Sequence, residues 1–557
     1  MEQEQPQSSQ IGHRPELGIQ GPVLACQDPW AGEASDRIMR TGTGRIYLSQ
    51  DPAPSAEQFV EALQSLDADF YVHHMLPGLE GQSEMIRDMV LHGIDVCLGN
   101  EYGNINGPWV EGTNRWDVPD EAILEAARSG RLIGLLYDEP EHLQINAGQY
   151  RKDGWFPHWG ATDGFGLEPA YAGMVNAVRG RVEHVRHLLA GHGLDAAAAP
   201  LVSEHVFPVM FHAKARAGMA VCPKIMKESF QALQLGTALG AAKQYGRPMW
   251  ICADLWGPDI GHWFTRISGF PGHSPEEFES ALRMGYLMGP THLFAENIDV
   301  LLHHRENRLV RTEFGEAWHR FVNDYVPRHP LVWRHDQASA DIAVIHSEDS
   351  NYGQNARLYG NRELQVPESS KSIFPVWHLL SHGKIPSHGS CMHIPGYDFP
   401  RHVLRKRVPP EGYPLLSGCA DLPQTAVHTL FEPVNNALAF DEHVRDDQLG
   451  SPKLIIAAGS RLSAGTLSAV RRRSEDGAVV IVAEWLVPAG WKESRRFGNG
   501  GAWIVTGDFL SDDAREAAAP FLGSGDCWRQ RFGNTEIRFY KADPAGRTLH
   551  AEIHSSN

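Results

Sequence analysis

The sequence predicts a (β/α)8 TIM barrel followed by a smaller parallel α/β domain and a short C-terminal β element. Three observations carry this expectation. From about residue 44, short apolar runs ending in polar residues alternate with amphipathic helical stretches. Those stretches carry helix start and stop signals in step with the alternation. A second alternation of the same kind begins at residue 341, after the helical pattern breaks at Pro327-Arg328-His329-Pro330.

Seven strand candidates fill the first half: 44–49 (GRIYLS), 69–73 (DFYVH), 94–99 (IDVCLG), 132–137 (LIGLLY), 219–225 (MAVCPKI), 248–253 (PMWICA) and 291–294 (THLF). A closed barrel needs an eighth. Either 300–304 (VLLHH) supplies it or the barrel is imperfect. Between the strands, Ser55 and Gln58 form a capping box ahead of Phe59 and Leu63. Ser274, Pro275 and Glu277 put a cap, a first-turn proline and an N3 carboxylate in register, while Gly93 and Gly130 close two helices. In the second alternation 341–346 (DIAVIH), 454–458 (LIIAA) and 478–483 (AVVIVA) read as parallel strands and 373–380 as a helix. Strand-like pieces at 535–540 (TEIRFY) and 549–553 end the chain. The expected division is a 1–40 extension, a 41–330 barrel, a 338–508 α/β domain and a 509–557 β element.

Charge and composition narrow the function. The 557 residues carry 50 basic and 68 acidic side chains, a net charge of −18, which repels nucleic-acid phosphates and anionic lipid surfaces. No run of about 18 apolar residues occurs, and the first residues are polar, so neither a membrane nor a nucleic-acid partner is expected and the cytoplasm is the expected setting. Seven scattered cysteines without C-x-x-C spacing read as reduced thiols, with Cys97, Cys222 and Cys252 in the core. Histidine is abundant at 29 copies, including His73-His74 and His303-His304, yet no H-x-x-x-H with a partnered carboxylate appears. The glycine clusters at 41–45 and 498–501 fall short of a phosphate cradle. No metal and no cofactor are expected.

A barrel places its reacting groups at the C-terminal ends of its strands. Those ends hold His73, Asn100 and Glu101, Asp138 and Glu139, Lys224 and Glu228, Asp254 and Trp256, and Glu296. Charged neighbours directly after an apolar strand are costly to bury unless used or paired, which singles out Asp138-Glu139; the bland alternative is a salt-bridged loop carboxylate. Strand alternation sends the two to opposite sides, so one reaches the mouth and the other braces a neighbour. Glu296 lies 157 residues after Glu139 and brings a second carboxylate to the same mouth, unless it is only a cap or loop residue. Glycosidic cleavage through a covalent intermediate needs two carboxyl groups about 5–5.5 Å apart. Trp109, Trp116, Trp155, Phe156, Trp159, Trp256, Trp263 and Phe264 in the following loops offer flat faces for sugar rings, or simply pack the loops down.

This layout resembles glycoside hydrolase clan A, and in particular the multidomain β-galactosidases of family 42, in which a barrel precedes a glutamine-amidotransferase-like trimerisation domain and a small β domain. The resemblance implies that Glu139, after strand four, is the acid/base and that Glu296, after strand seven, is the nucleophile. It also implies sugar contacts from Asn100, Glu101, Lys224, Glu228, Asp254 and Trp256, with Asp138 and His73 beside them on the rim. The clan usually has Asn before its acid/base, where this chain has Asp138. An Asp-Glu pair at strand four also resembles the substrate-assisted N-acetylhexosaminidases, in which the Asp orients an acetamido group and Glu296 would have no role. Gly459-Ser460-Arg461 stands near where the amidotransferase cysteine would be, so glutaminase chemistry is not expected, and the resemblance implies oligomer contact or closure of the barrel mouth as that domain's job. The expected function is a retaining glycoside hydrolase, exo-acting on a β-glycoside or oligosaccharide and homo-oligomeric. Its rivals are a carbohydrate-binding barrel without turnover and a metal-dependent hydrolase or isomerase.

Overall fold

The computed structural model describes residues 12–21, 28–32, 54–76, 78–101, 105–107, 116–141, 163–206, 208–226, 230–255, 274–296, 298–349, 359, 361, 363–364, 367–385, 387 and 429–555. Eight parallel strands close into a barrel in chain order: β1 (Glu16–Gln20), β2 (Phe70–His74), β3 (Asp95–Glu101), β4 (Leu132–Asp138), β5 (Leu201–His205), β6 (Ala220–Ile225), β7 (Trp250–Ala253) and β8 (His292–Ala295). Pairing of β1 with both β2 and β8 completes the ring. Each strand is followed by the helix of the same number: α1 (Ala56–Ser65), α2 (Gln82–Leu91), α3 (Asp120–Arg128), α4 (Leu167–Gly191), α5 (Phe211–Ala217), α6 (Gln231–Tyr245), α7 (Pro275–Leu287) and α8 (Glu313–Arg320). This is the barrel that the alternation predicts. The capping box at Ser55 and the Ser274-Pro275 start of α7 are both formed.

Three strand assignments differ from the sequence expectation. The first barrel strand is Glu16–Gln20, inside the stretch expected to be an extension, and the 44–49 candidate lies outside the described residues. A central glycine weakens the strand pattern of β1, but packing requires it: a Cβ on Gly18 would lie 2.3 Å from the Phe70 ring. The fifth strand, LVSEH, has no apolar run to announce it because Ser203, Glu204 and His205 are all polar and all buried. The 300–304 candidate is not a barrel strand. It contributes a helical turn (Ile298–Leu301) and a hairpin of β9 (Leu302–Arg305) with β10 (Arg308–Arg311). In consequence Glu296 closes the eighth strand rather than the seventh, and Asp254 follows the seventh.

Period two divides the barrel strands between two cores. Phe70, Val72, Cys97, Leu136, Val202, Cys222, Trp250, Cys252 and Phe294 fill the interior. Residues of the opposite parity, such as Leu17, Tyr71, Leu98, Leu135, Tyr137 and Ile251, pack outward against the helices. The three interior cysteines are free thiols in an apolar setting, as expected of them.

After a short β11 (Ala338–Ser339) comes a second sheet. Its strands are β12 (Ile342–His346), β13 (Ala437–Asp441), β14 (Leu454–Ala457), β15 (Val479–Ala483), β16 (Arg495–Arg496) and β17 (Ala502–Thr506). They run in the order β13-β12-β14-β15-β17-β16, parallel except for the β16 edge. A third, antiparallel sheet joins β11 to β18 (Trp528–Phe532), β19 (Thr535–Lys541) and β20 (Leu549–Ser555).

Helix α6 is buried almost all round because it is shared between barrel and second sheet. Gly236 and Gly240 let its backbone approach β13, and a Cβ on Gly240 would fall 1.6 Å from the Ala439 carbonyl oxygen. At its N-terminus the N–H groups of Phe230 and Ala232 donate to the Glu432 carboxyl at 3.0 and 2.7 Å.

Candidate active site

At the C-terminal end of the barrel the interior layer turns polar. The inward positions there are Gln20, His74, Asp138, Glu204, Lys224, Asp254 and Glu296, contributed by seven of the eight strands or the residues just past them. Lys224 is their centre. Its ammonium is fully buried and lies 3.0 Å from Asp138 Oδ1, 3.0 Å from Glu139 Oε1 and 3.1 Å from Glu296 Oε1, with Glu204 Oε1 and Asp254 Oδ2 each at 3.7 Å. It donates hydrogen bonds to Glu139 and Glu296.

Topology explains why one lysine can do this. Strands β4 and β8 stand opposite each other across the ring, and β6 lies two strands from each, so an extended side chain from β6 reaches the axis between them. Glu139 Oε1 and Glu296 Oε1, at 3.0 and 3.1 Å from one nitrogen, can be no farther apart than about 6.1 Å.

Five carboxyl groups around one ammonium cannot all be ionised cheaply in a buried place. Burial holds the Glu204 carboxyl well above the usual carboxylate range; Lys224 works against this and Asp138 adds to it. For Lys224, burial disfavours the charge, but the fields of Asp138, Glu139, Glu204 and Glu296 outweigh it and hold the ammonium well above the ordinary lysine value. The site is therefore a fixed cation ringed by carboxyl groups, with the Glu204 carboxyl shifted toward its neutral form by burial.

The Asp138-Glu139 pair departs from simple alternation. Glu139 has φ +47°, the left-handed region, while its N–H still donates to the Glu204 carbonyl at 2.9 Å. This twist turns Glu139 back over the mouth, so both carboxylates reach Lys224 instead of pointing to opposite sides. A non-glycine residue held there costs about 1–2 kcal/mol, and such strain collects at functional positions.

The structure brings together Asp138, Glu139, Lys224, Asp254 and Glu296 among the residues singled out from sequence. Two others face away from the mouth. His73 is packed on the outward parity against Trp30 and Tyr71, its ring centroid 6.2 and 5.8 Å from theirs. Asn100, also outward, donates to the Trp116 carbonyl. Trp116 is itself buried, whereas Glu228, Trp256 and the remaining loop aromatics lie outside the described residues, as does the Glu101 side chain. Glu204, Gln20 and His74 complete the polar layer; Gln20 Nε2 and His74 Nε2 are 2.7 Å apart. Glu204 escaped the sequence reading together with its strand, and the signal that marks it is the carboxylate two residues after the inward Val202.

Among the described residues no helix is long and apolar enough to cross a membrane. No family model matches the chain, and no curated protein matches it. Solved structures do resemble it in outline. A β-galactosidase from the psychrophilic Marinomonas ef1 is 8% identical, with a TM-score of 0.47 over 94% of this chain and 95% of that one. An exo-β-1,4-mannosidase from Opitutaceae bacterium strain TAV5 is 11% identical, with a TM-score of 0.42 over 88% of this chain and 81% of that one. An exo-carrageenase of family GH42 from Bacteroides ovatus is 9% identical, with a TM-score of 0.38 over 98% of this chain and 80% of that one. Likeness at this level carries no argument about activity, which has to come from the site.

Proposed function

We propose that this protein is a glycoside hydrolase acting on an oligosaccharide or glycoside, with Glu139 as acid/base and Glu296 as nucleophile. One observation carries the reading: two carboxylates from opposite strands meet on Lys224 with their nearer oxygens within about 6.1 Å. That bound admits the roughly 5–5.5 Å carboxyl separation of a retaining site. Glu139 protonates the leaving oxygen while Glu296 attacks the anomeric carbon; Glu139 then takes a proton from the water that releases the sugar, and configuration is retained. Lys224 holds the two groups in place.

Asp254 supports a second assignment of the nucleophile, because it follows β7, the strand position that the family resemblance gives to that role, and its carboxyl also faces Lys224. Exo-action on a β-glycoside is the finer form of the proposal, supported by the long segments after β3, β4 and β7 and by the same resemblance. Self-association through the second sheet domain belongs to it as well.

The test is kinetics of Glu139→Gln, Glu296→Gln and Asp254→Asn on a natural oligosaccharide found by screening. The expected outcome is a kcat/KM loss of about 10²–10⁴-fold for the two glutamates and less for Asp254. A full loss at Asp254 with activity kept at Glu296 would move the nucleophile to Asp254, and full activity in Glu139→Gln would remove the acid/base.

A further inference from the structure

Three side chains that the proposed reaction does not use meet where the barrel touches the second sheet. His212 lies on α5, His346 ends β12, and Glu348 follows two residues later. All three are buried, with at most 2% of their surface exposed, and one potential ligand atom from each lies within 4.8 Å of the other two.

The hydrogen bonds around them point to a cation. His212 Nε2 lies 3.0 Å from the Ala439 carbonyl, so this nitrogen carries the proton and donates. Metal-bound histidines commonly use their outer N–H in this way. The other nitrogen, Nδ1, stands 2.9 Å from Glu348 Oε1, a gap bridged either by a proton on Nδ1 or by a cation that takes its place. The second oxygen, Glu348 Oε2, is buried without a hydrogen bond, a loss that coordination would repair. The His346 ring stands across from that of His212, 5.7 Å between centroids and at 82°.

We propose that His212, His346 and Glu348 form a binding site for a divalent transition ion, zinc by ligand type, which clips barrel helix α5 to the second sheet. Two imidazole nitrogens and a bidentate carboxylate supply four donors of the kind zinc takes, at Zn–N and Zn–O distances of about 2.0–2.2 Å. Seating the ion requires the 2.9 Å gap between Nδ1 and Oε1 to open to about 3.3 Å, the edge of a tetrahedron with such bonds. Because the site is closed to solvent, the ion enters as the two domains dock, and its role is structural. The competing occupant is a proton, which would make His212 and Glu348 an ordinary buried ion pair.

The experiment uses the full chain, stripped with a chelator and then equilibrated with micromolar zinc or cobalt(II). Metal content, thermal midpoint and the cobalt visible spectrum are compared with those of His346→Gln and the near-isosteric Glu348→Gln. The expected result is one more equivalent of metal in the wild type than in either variant. A rise in its midpoint of about 3 °C or more with zinc and a tetrahedral cobalt band, both lost in the variants, should accompany it. Should His346→Gln fail to fold, Glu348→Gln gives the same readouts. Equal metal content in wild type and variants, or a wild-type midpoint indifferent to zinc, overturns the proposal and leaves the proton. Neither readout depends on whether the barrel hydrolyses a sugar.

Discussion

Lys224 Nζ and Glu204 Oε1 lie 3.7 Å apart on the barrel axis, both fully buried, and they differ in what they contribute. Among the described residues the lysine is the cation that meets five carboxyl groups, whereas burial raises the glutamate's carboxyl well above the usual carboxylate range. Lys224→Met should therefore destabilise the protein by about 3–5 kcal/mol at pH 7.5, the cost of leaving buried carboxylates without their counter-charge. Glu204→Gln should cost about 1 kcal/mol or less. The loss in Lys224→Met should shrink on acidification, because its folded state then binds more protons than its unfolded state. Urea unfolding of both variants at pH 7.5 and pH 5 checks all three statements.

Barrel and second sheet are joined at a place with no spare volume. Gly240 touches the backbone of β13, where a Cβ would stand 1.6 Å from a carbonyl oxygen that cannot rotate away. Gly240→Ala should cost about 3 kcal/mol, the upper end of overpacking penalties, and should loosen docking before it unfolds either domain. Hydrogen exchange of α6 and β13 amides against those of β2 and β3 would show it, and equal protection in both pairs would contradict it.

Glu432 makes stability depend on pH in a definite direction. Burial raises its carboxyl to about 8, even though the N–H groups of Ala232 and Phe230 favour the ionised form. Its contribution is fully present below the unfolded value of 4.5 and is lost as pH rises toward 8. Stability should fall across that window through this group, and Glu432→Gln should flatten the slope even if it lowers the absolute value. Chemical denaturation at half-unit intervals of pH from 4.5 to 8 compares the two.

What could be read from the sequence tracked how strongly each element announced its period. Strand β4, LIGLLYD, is a continuous apolar run, and its polar end was legible at once. Strand β5 is not, since Ser203, Glu204 and His205 are polar yet buried and leave it without an apolar run. Without β5 every later strand counts one too low, which places Glu296 after a seventh strand instead of the eighth. His73 and Asn100 failed for another reason: both faces of a barrel strand are buried, so FYVHH offers no contrast to tell inward from outward. The left-handed turn at Glu139 has no sequence signal, because the residue there is neither Gly nor Asn.

Strain at that turn gives a further expectation. Replacing Glu139 by Gly should relieve the left-handed backbone while removing the carboxylate, so the variant should be inactive on a natural glycoside yet at least as stable as Glu139→Ala, by about 1 kcal/mol. Paired measurements of the unfolding midpoint and of turnover test it; a less stable glycine variant would mean that the surroundings do not impose the strain.

The central claim is that Glu139 and Glu296 act as a retaining pair, and the most direct measurement is the anomeric configuration of the first-formed product, followed by NMR during hydrolysis of a natural oligosaccharide. Retained configuration, abolished in Glu296→Gln, is the predicted result. Inverted configuration, or retention that survives the loss of Glu296, would contradict it.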